Sequence, residues 1–135
     1  MSLAPIQDAI EEKLAAAGFS CVPGVINLAV ALTDLPAAGL YFIGFDEDPR
    51  ETQTATRLPR FRVDLMFSLA DAVAFRAQML NGIPAVYEAV RADRSLGGLA
   101  DTTEVTDGGV PEFVEASIPL AVKTLYIAVE YEEDA

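Results

Sequence analysis

Histidine is absent from this 135-residue chain, and cysteine occurs once, at Cys21. Histidine is the commonest general base in enzymes, a common metal ligand and the usual partner of a nucleophilic serine or cysteine. Its absence leaves Ser95 and Ser117 without a histidine to activate them. A single cysteine excludes a disulfide within the chain and fits a reducing compartment, and we interpret Cys21 as a small packed residue.

Motifs that bind phosphate or metal ions are also lacking. Gly97-Gly98 follows a helix-like run and Gly108-Gly109 lies in a turn-rich stretch, whereas a phosphate-binding loop needs a strand before it and a helix after it. The acidic runs at 46–48 and 132–134 do not have the spaced oxygen ligands and the glycine of a calcium loop. We therefore expect no catalytic residue, no cofactor and no metal, and a protein that is not an enzyme.

Basic residues are few, nine Lys and Arg against 21 Asp and Glu, which gives a formal net charge of −12. This charge repels the phosphates of nucleic acid and of anionic lipid, so we expect no specific nucleic acid partner. The charge is also uneven. Four arginines fall in one short segment, at Arg50, Arg57, Arg60 and Arg62, and four acids crowd the C-terminus, at Glu130, Glu132, Glu133 and Asp134. Such opposite patches suit head-to-tail self-assembly, although solvated surface charge is the simpler interpretation.

Long apolar runs are missing as well. No uninterrupted stretch reaches the roughly 18 residues that a membrane helix needs. The first residues, MSLAPIQDAIEEKL, carry acids where a secretory signal has a basic head and an apolar middle. We expect a soluble protein that has no membrane partner.

Two segments have the apolar spacing of a helix. Ile6, Ile10 and Leu14 form one stripe within residues 3–17, where Gly18 provides a stop. The second helix has Ser68 or Asp71 as a possible cap and runs to Arg94, with apolar residues at steps of four and three, namely Phe75, Met79, Ile83, Val86 and Val90. Pro84 lies inside it, so we predict a kink or two shorter helices that meet near residue 82.

A paired glycine follows this second helix. Gly97 or Gly98 can adopt the left-handed conformation that closes a helix, with Leu96 or Leu99 folding back as the apolar contact.

The remaining apolar segments favour strands. Alternation is clearest at 60–67 and at 120–131, and weaker at 26–32, where a helix remains an alternative. Residues 40–45 (LYFIGF) predict a strand that is buried on both faces, and a further strand is expected at 113–119. The polar segments 46–59 and 101–111 predict a long connection and a turn-rich stretch. We therefore predict a single α+β domain over residues 1–135. It has a mostly antiparallel or mixed sheet of four to five strands, two main helices packed on one face, and a long β-hairpin arm.

Two stretches resemble the tail terminator (tail completion, minor tail) proteins of long-tailed phages and prophages. The first is Arg94-Ser95-Leu96-Gly97-Gly98-Leu99-Ala100-Asp101, followed by Thr103-Glu104-Val105, and the second is the ending Leu125-Tyr126-Ile127-Ala128-Val129-Glu130-Tyr131. The helix at 6–17, the Pro23-Gly24-Val25 corner and the arginine-containing segment 57–67 also match the family's order of elements. The residue-level likeness is confined to 94–105 and 122–131.

The resemblance implies a structural subunit that caps the tail tube as a hexameric ring and joins it to the head connector. The implied partners are further copies of the chain, the tail tube protein and the head-tail connector. The implied location is a virion assembled in the bacterial cytoplasm, or the cytoplasm itself for an orphan prophage product. Candidate contact residues lie on the 46–59 arm and the 94–109 corner, and they are Arg50, Arg57, Arg60, Arg62, Leu96, Gly97, Gly98 and Glu104.

A second interpretation stays open. The chain is then a small intracellular enzyme or ligand-binding domain with an apolar pocket under the aromatic residues of 41–45.

Overall fold

A computed structural model of the chain describes residues 3–22, 35–46, 56–115 and 119–132. The described chain forms two helices and a mixed sheet of seven strands. The elements in order are α1 (Ala4–Ala16), β1 (Ser20–Val22), β2 (Ala37–Phe45), β3 (Thr56–Arg57), β4 (Pro59–Ser68), α2 (Ala72–Ala92), β5 (Thr102–Asp107), β6 (Glu112–Val114) and β7 (Leu120–Glu132). The predicted α+β class is confirmed, but the sheet has more strands than the four to five expected. The predicted strand at 26–32, the corner at 23–25 and Arg50 lie outside the described residues.

The sheet is organised on β7, which pairs along both of its edges. β4 runs antiparallel to it from Arg60–Ala128 to Ser68–Leu120. β3 keeps the same register, with Arg57 opposite Tyr131, so β3 prolongs β4 after a break at Leu58. β5 and β6 pair with residues 125–130 and 120–122 of β7. Since β4 already occupies residues 120–128 on one edge, β5 and β6 lie on the other. The strand count exceeds the expected four to five because two positions in the sheet are each occupied by two strands, β3 with β4 and β5 with β6.

The other half of the sheet is built on β2. β2 pairs antiparallel with β4, and β1 pairs parallel with β2 over Ala37–Gly39 only. The second half of β2 therefore has no described strand on its outer edge. The expectation of a strand buried on both faces is wrong for this half of β2. Ala37–Leu40 is buried, whereas Phe42, Ile43 and Phe45 are 40%, 43% and 49% exposed.

Both helices pack on one face of the sheet. Their partners are the odd-numbered residues of β4 and β7, namely Phe61, Val63, Leu65, Phe67, Leu125, Ile127, Val129 and Tyr131, which form one buried cluster with Ile6, Ile10 and Leu14 of α1. The alternate residues of these strands lie on the opposite face, where a smaller cluster joins Met66 to Ala37 and Val122. The alternation predicted for β4 and β7, and the stripe predicted for α1, are confirmed.

α2 is a single helix of 21 residues, so the prediction of two shorter helices is wrong. Asp71 is its N-cap, and the carboxylate accepts hydrogen bonds from the backbone N–H groups of Val73 and Ala74 at 3.0 and 3.1 Å. Pro84 is exposed. The carbonyl of Leu80, which Pro84 leaves without its helical hydrogen bond, is therefore on the solvent side and accessible to water. The helix ends at Ala92, two residues before the predicted end. No helix among the described residues is long and apolar enough to span a membrane.

β5 lies within the segment that was expected to be turn-rich, and this expectation is wrong for residues 102–107. The strand is polar, and its burial pattern shows only Thr103 buried and Val105 half-buried on the side of the helices. Too few apolar residues alternate here to signal a strand.

A buried lysine, Lys123, stabilises the connection between β5 and β6. The Lys123 ammonium donates to Asp107 Oδ1 at 2.5 Å and to the carbonyl of Gly109, and the N–H of Gly109 donates to Asp107 at 2.6 Å. The N–H of Gly108 donates to the carbonyl of Thr124 at 3.0 Å, and a Cβ at residue 108 would lie 2.5 Å from that oxygen. A glycine is therefore required at residue 108.

Acid should destabilise the fold through two aspartates. The Lys123 ammonium and then the N–H of Gly109 lower the pKa of Asp107, and the hydroxyl of Ser95 and then the N–H of Gly97 lower the pKa of Asp93. A lowered pKa adds stability that is complete above the unfolded value of about 3.9 and is lost as pH falls through the folded value. We expect the drop in Tm between pH 6 and pH 3 to be smaller for Asp93→Asn with Asp107→Asn than for wild type. Equal drops, measured by thermal unfolding followed by circular dichroism, would contradict the two assignments.

Candidate functional site

The face of the sheet opposite the helices brings polar side chains together, and we call it the polar face. Strand register places Tyr41, Arg62, Tyr126 and Thr106 in one row across β2, β4, β7 and β5. The next row contains Gly44, Arg60, Ala128 and Glu104. Paired residues of neighbouring strands share a face, so three of the predicted contact residues, Arg60, Arg62 and Glu104, lie on this one surface.

A buried carboxylate, Asp64, holds the centre of the polar face. Asp64 is 1% exposed. It accepts a hydrogen bond from Arg62 Nε at 3.0 Å, one from the Thr124 hydroxyl at 2.9 Å and one from the Tyr41 hydroxyl at 3.4 Å. The guanidinium of Arg62 also lies 5.8 Å from the centre of the Tyr41 ring. This arrangement satisfies both oxygens of a charge that would otherwise be costly to bury.

Two members of this network, Arg62 and Tyr41, keep their protons at neutral pH. Partial burial acts to lower the pKa of Arg62, but the hydrogen bond and charge of Asp64 outweigh it and the pKa is raised. Burial, with the neighbouring Asp64 charge, raises the pKa of Tyr41, so its phenol stays a hydrogen-bond donor. With a permanent cation and two hydroxyl donors on its oxygens, Asp64 orders the sheet and is not placed as a general base.

Arg60 and Glu104 are two accessible charges of the polar face. Arg60 lies 3.5 Å from Asp46 Oδ1, and its guanidinium is 5.5 Å from the centre of the Tyr126 ring. Glu104 is exposed on β5, and Ala128 separates the two residues in their row. Arg60 and Glu104 therefore flank the small residue Ala128, and this part of the polar face is accessible to a partner.

Arg57 is separated from these residues. It pairs with Tyr131, whose ring lies in the core on the side of the helices, so Arg57 is on that side of the sheet. The structure therefore divides the arginine patch that the sequence suggested between two faces. Arg50 lies outside the described residues.

The predicted contact residues of the second corner lie apart from the polar face. Leu96 is 3% exposed in the core below the helices, with φ of 51°, whereas Gly97 and Gly98 are exposed, with φ of 70° and 94°. The Asp93 carboxylate accepts from the N–H of Gly97 at 2.9 Å and from the Ser95 hydroxyl at 2.7 Å. Leu96 is thus the apolar contact of the corner, and the glycines alone reach the surface.

Sequence reasoning missed an exposed apolar patch at the end of the β2–β4 ribbon, formed by Phe42, Ile43 and Phe45. The rings of Phe42 and Phe45 meet edge to face with centres 5.2 Å apart, and Phe42 also contacts the buried ring of Phe61 at 5.8 Å. A change of register between Phe42 and Gly44 places Ile43 in a bulge. The run LYFIGF suggested a core strand. Because β1 is short and pairs only with Ala37–Gly39, the second half of β2 is instead an edge of the sheet.

A shallow apolar cavity of about 400 Å³ lies between α2 and the end of α1, lined in part by Phe19, Pro36, Gln78, Asn81 and Gly82. It is not the pocket expected under residues 41–45. Partial burial and then the charge of Glu11 raise the pKa of the Cys21 thiol, which donates to the Glu11 carbonyl. Across the described residues, no group of three Cys, Asp or Glu side chains could hold a metal ion.

No protein-family model matches the sequence, and a search of curated proteins finds no match either.

Proposed function

We propose that this protein is a structural subunit of phage or prophage tail assembly, which caps the tail tube as an oligomeric ring and joins it to the head connector. The observation that carries the proposal is the exposed apolar patch of Phe42, Ile43 and Phe45, each at least 40% exposed. Large apolar side chains grouped on a surface mark a site of interaction with another macromolecule. The resemblance at 94–105 and 122–131 supports the choice of partner class.

The surroundings of the patch suit a protein contact. Arg60 and Asp46 form an ion pair at the same end of the ribbon, on the face opposite Phe42 and Phe45, because Arg60 pairs with Gly44 whereas Phe42 pairs with Phe61 of the core. The N–H of Asp46 donates to the carbonyl of Leu58 at 2.8 Å. An apolar centre with a polar rim is the usual anatomy of an interface. The ribbon that carries both is fixed by the pairing of β2 with β4 and of β4 with β7.

A ring requires two unlike surfaces on each copy. The end of the β2–β4 ribbon, with the apolar patch on one face and Arg60 on the other, supplies one, and an acidic surface of the next copy supplies the other, consistent with a net charge of −12. Repetition of one such heterologous contact closes a ring when the rotation between copies divides a full turn.

Removing the patch should weaken self-association. In sedimentation velocity, we expect wild type to form an oligomer and Phe42→Ser with Phe45→Ser to associate at least about tenfold more weakly, which is about 1.4 kcal/mol. Arg60→Glu should weaken association as well. The matched control is Val73→Ser with Leu80→Ser, which removes two exposed apolar side chains from α2 and leaves the oligomer intact. A patch variant with the wild-type oligomer distribution, or a monomeric wild type in the presence of tube protein, would contradict the proposal.

The second candidate, a ligand-binding domain, is favoured by the cavity beside α2. Its volume of about 400 Å³ is within the range of small-molecule sites. Native mass spectrometry of the purified protein tests it directly. A bound molecule that is lost in Ala77→Trp, a change at a residue that lines the cavity, would favour this candidate over assembly.

A further inference from the structure

A second group of exposed apolar residues lies on the edge of the sheet opposite the apolar patch, and we call it the β6 surface. It consists of Val110 and Phe113, which are 87% and 72% exposed, and of the exposed acids Glu112 and Glu115. β6 pairs with β7 along one edge, and no described strand pairs with the other. Large apolar side chains exposed at a sheet edge indicate a contact with another macromolecule.

The β6 surface is held in a fixed position by the residues around it. The Lys123 ammonium donates to the carbonyl of Gly109, directly before Val110. Val114 packs against the small apolar cluster of the polar face and anchors the other end of β6. A surface that is ordered before it meets a partner loses little conformational entropy on binding.

Phe113 lies on the same side of the sheet as the aromatic rings of the apolar patch. It pairs with Ala121, which pairs in turn with Phe67 of the core, so its side chain is on the side of the helices. Phe42 is on this side too, because it pairs with Phe61 of the core. Both open edges of the sheet therefore carry exposed apolar residues on the side of the helices.

The charges beside these two apolar surfaces also share a face, and they have opposite signs. Glu112 pairs with Val122 and is therefore on the polar face, the face on which Arg60 lies at the end of the β2–β4 ribbon. Within the described parts of the chain, neither Glu112 nor Glu115 forms an ion pair. Their carboxylates are available to a guanidinium of another copy.

We propose that the β6 surface receives the apolar patch of a second copy of this chain, with the patch on Val110 and Phe113 and with Arg60 beside Glu112. Copies related by rotation about an axis parallel to the plane of the sheet all turn their helices to the same side. Apolar residues then meet apolar residues on the side of the helices, and Arg60 meets Glu112 on the polar face. This inference rests on the proposed self-assembly and identifies the acidic surface of that contact.

The offset between the two surfaces suits a closed ring. Phe42 is in the same row as Phe61, and Phe113 is in the row of Phe67, six residues further along β4, which is about 20 Å at 3.3 Å per residue. The strands β2, β4, β7 and β6 together are about 19 Å wide. Joining the two surfaces therefore inclines the strands by about 45° to the ring axis, close to the tilt of about 35–45° in closed β-barrels.

Two variants that each lack one of the surfaces test the contact. Phe42→Ser with Phe45→Ser, the patch variant, keeps the β6 surface, and Val110→Ser with Phe113→Ser, the β6 variant, keeps the patch. In sedimentation velocity, each variant alone should associate at least about tenfold more weakly than wild type. Their equimolar mixture should form a 1:1 heterodimer that grows no further, because it contains one intact patch and one intact β6 surface. Formation of the heterodimer also shows that both variants are folded.

An exchange of charges tests the contact on the polar face. Adding Glu112→Arg to Arg60→Glu should recover at least about threefold in association affinity, because the ion pair is restored with its signs reversed. The matched control is Glu88→Arg in the same Arg60→Glu background. It makes the same change of net charge at an exposed position on α2 and should recover nothing.

The outcomes separate this inference from the proposed function. If the patch variant loses the oligomer but the β6 variant keeps it, or if wild type associates and the mixture forms no heterodimer, the inference is overturned and the proposed function stands. Wild type and mixture that both stay monomeric overturn the inference as well, and association of wild type in the presence of tube protein then decides the proposed function. If the heterodimer forms but wild type grows into open polymers, the contact stands and the ring fails.

Discussion

Leu96→Ala should lower the free energy of unfolding by about 2–5 kcal/mol, the cost of removing a fully buried leucine. Leu96 packs in the core although its backbone has φ of 51°, a left-handed conformation that a non-glycine residue adopts at a cost of about 1–2 kcal/mol. The side chain's burial offsets this cost. Urea unfolding followed by circular dichroism measures the loss.

Two further variants identify the cause. Leu99→Ala, at the half-buried leucine of the same corner, should cost about 1 kcal/mol. Leu96→Gly should be no less stable than Leu96→Ala, because glycine takes up the left-handed backbone without strain. Alanine being clearly the more stable of the two, or Leu99→Ala being the more damaging truncation, would show that the corner is held in another way.

Arg62→Met should lower the free energy of unfolding by about 2–3 kcal/mol. It leaves Asp64 buried with hydroxyl donors alone, and removing one partner of a fully buried ion pair costs about 3–5 kcal/mol. The expected value is smaller because a third of the Arg62 side chain is exposed and is screened by solvent.

Arg60→Met is the matched control for this pair. Arg60 lies two residues earlier on the same strand and face, but its bond to Asp46 is long and exposed, so the expected loss is at most about 1 kcal/mol. Adding Asp64→Leu to Arg62→Met should restore most of the stability, because the orphaned charge is removed with its partner. Equal losses at Arg60 and Arg62, or no recovery in the double variant, would refute the account of the network.

The sequence predicts the parts of this fold that depend on one periodic pattern. The stripe of Ile6, Ile10 and Leu14, and the alternation in β4 and β7, need only burial on one side to be recognised, and the structure confirms them. β5 was missed because its own pattern is polar. Two shorter helices, one of the alternatives expected near residue 82, do not form because Pro84 is on the solvent side of a helix whose other side is held by the core.

The polar face was beyond sequence reasoning for a different reason. Arg62, Asp64 and Thr124 form one network because Asp64 pairs with Thr124 across the β4–β7 register, 60 residues apart in the chain. A shift of that register would place Thr124 opposite another residue. Periodicity indicates which residues share a face, but not which of them meet.

The central position of β7 sets an order for folding on the ribosome. Each strand that pairs with β7 is synthesised before it, so the nascent chain holds β2 and β4 as a hairpin while the second edge of β4 has no partner. Until β7 emerges, Phe61, Val63 and Leu65 lack the β7 residues that complete their buried cluster. Chains arrested before residue 120 should therefore be the aggregation-prone species, and these are the ones on which chaperones would act.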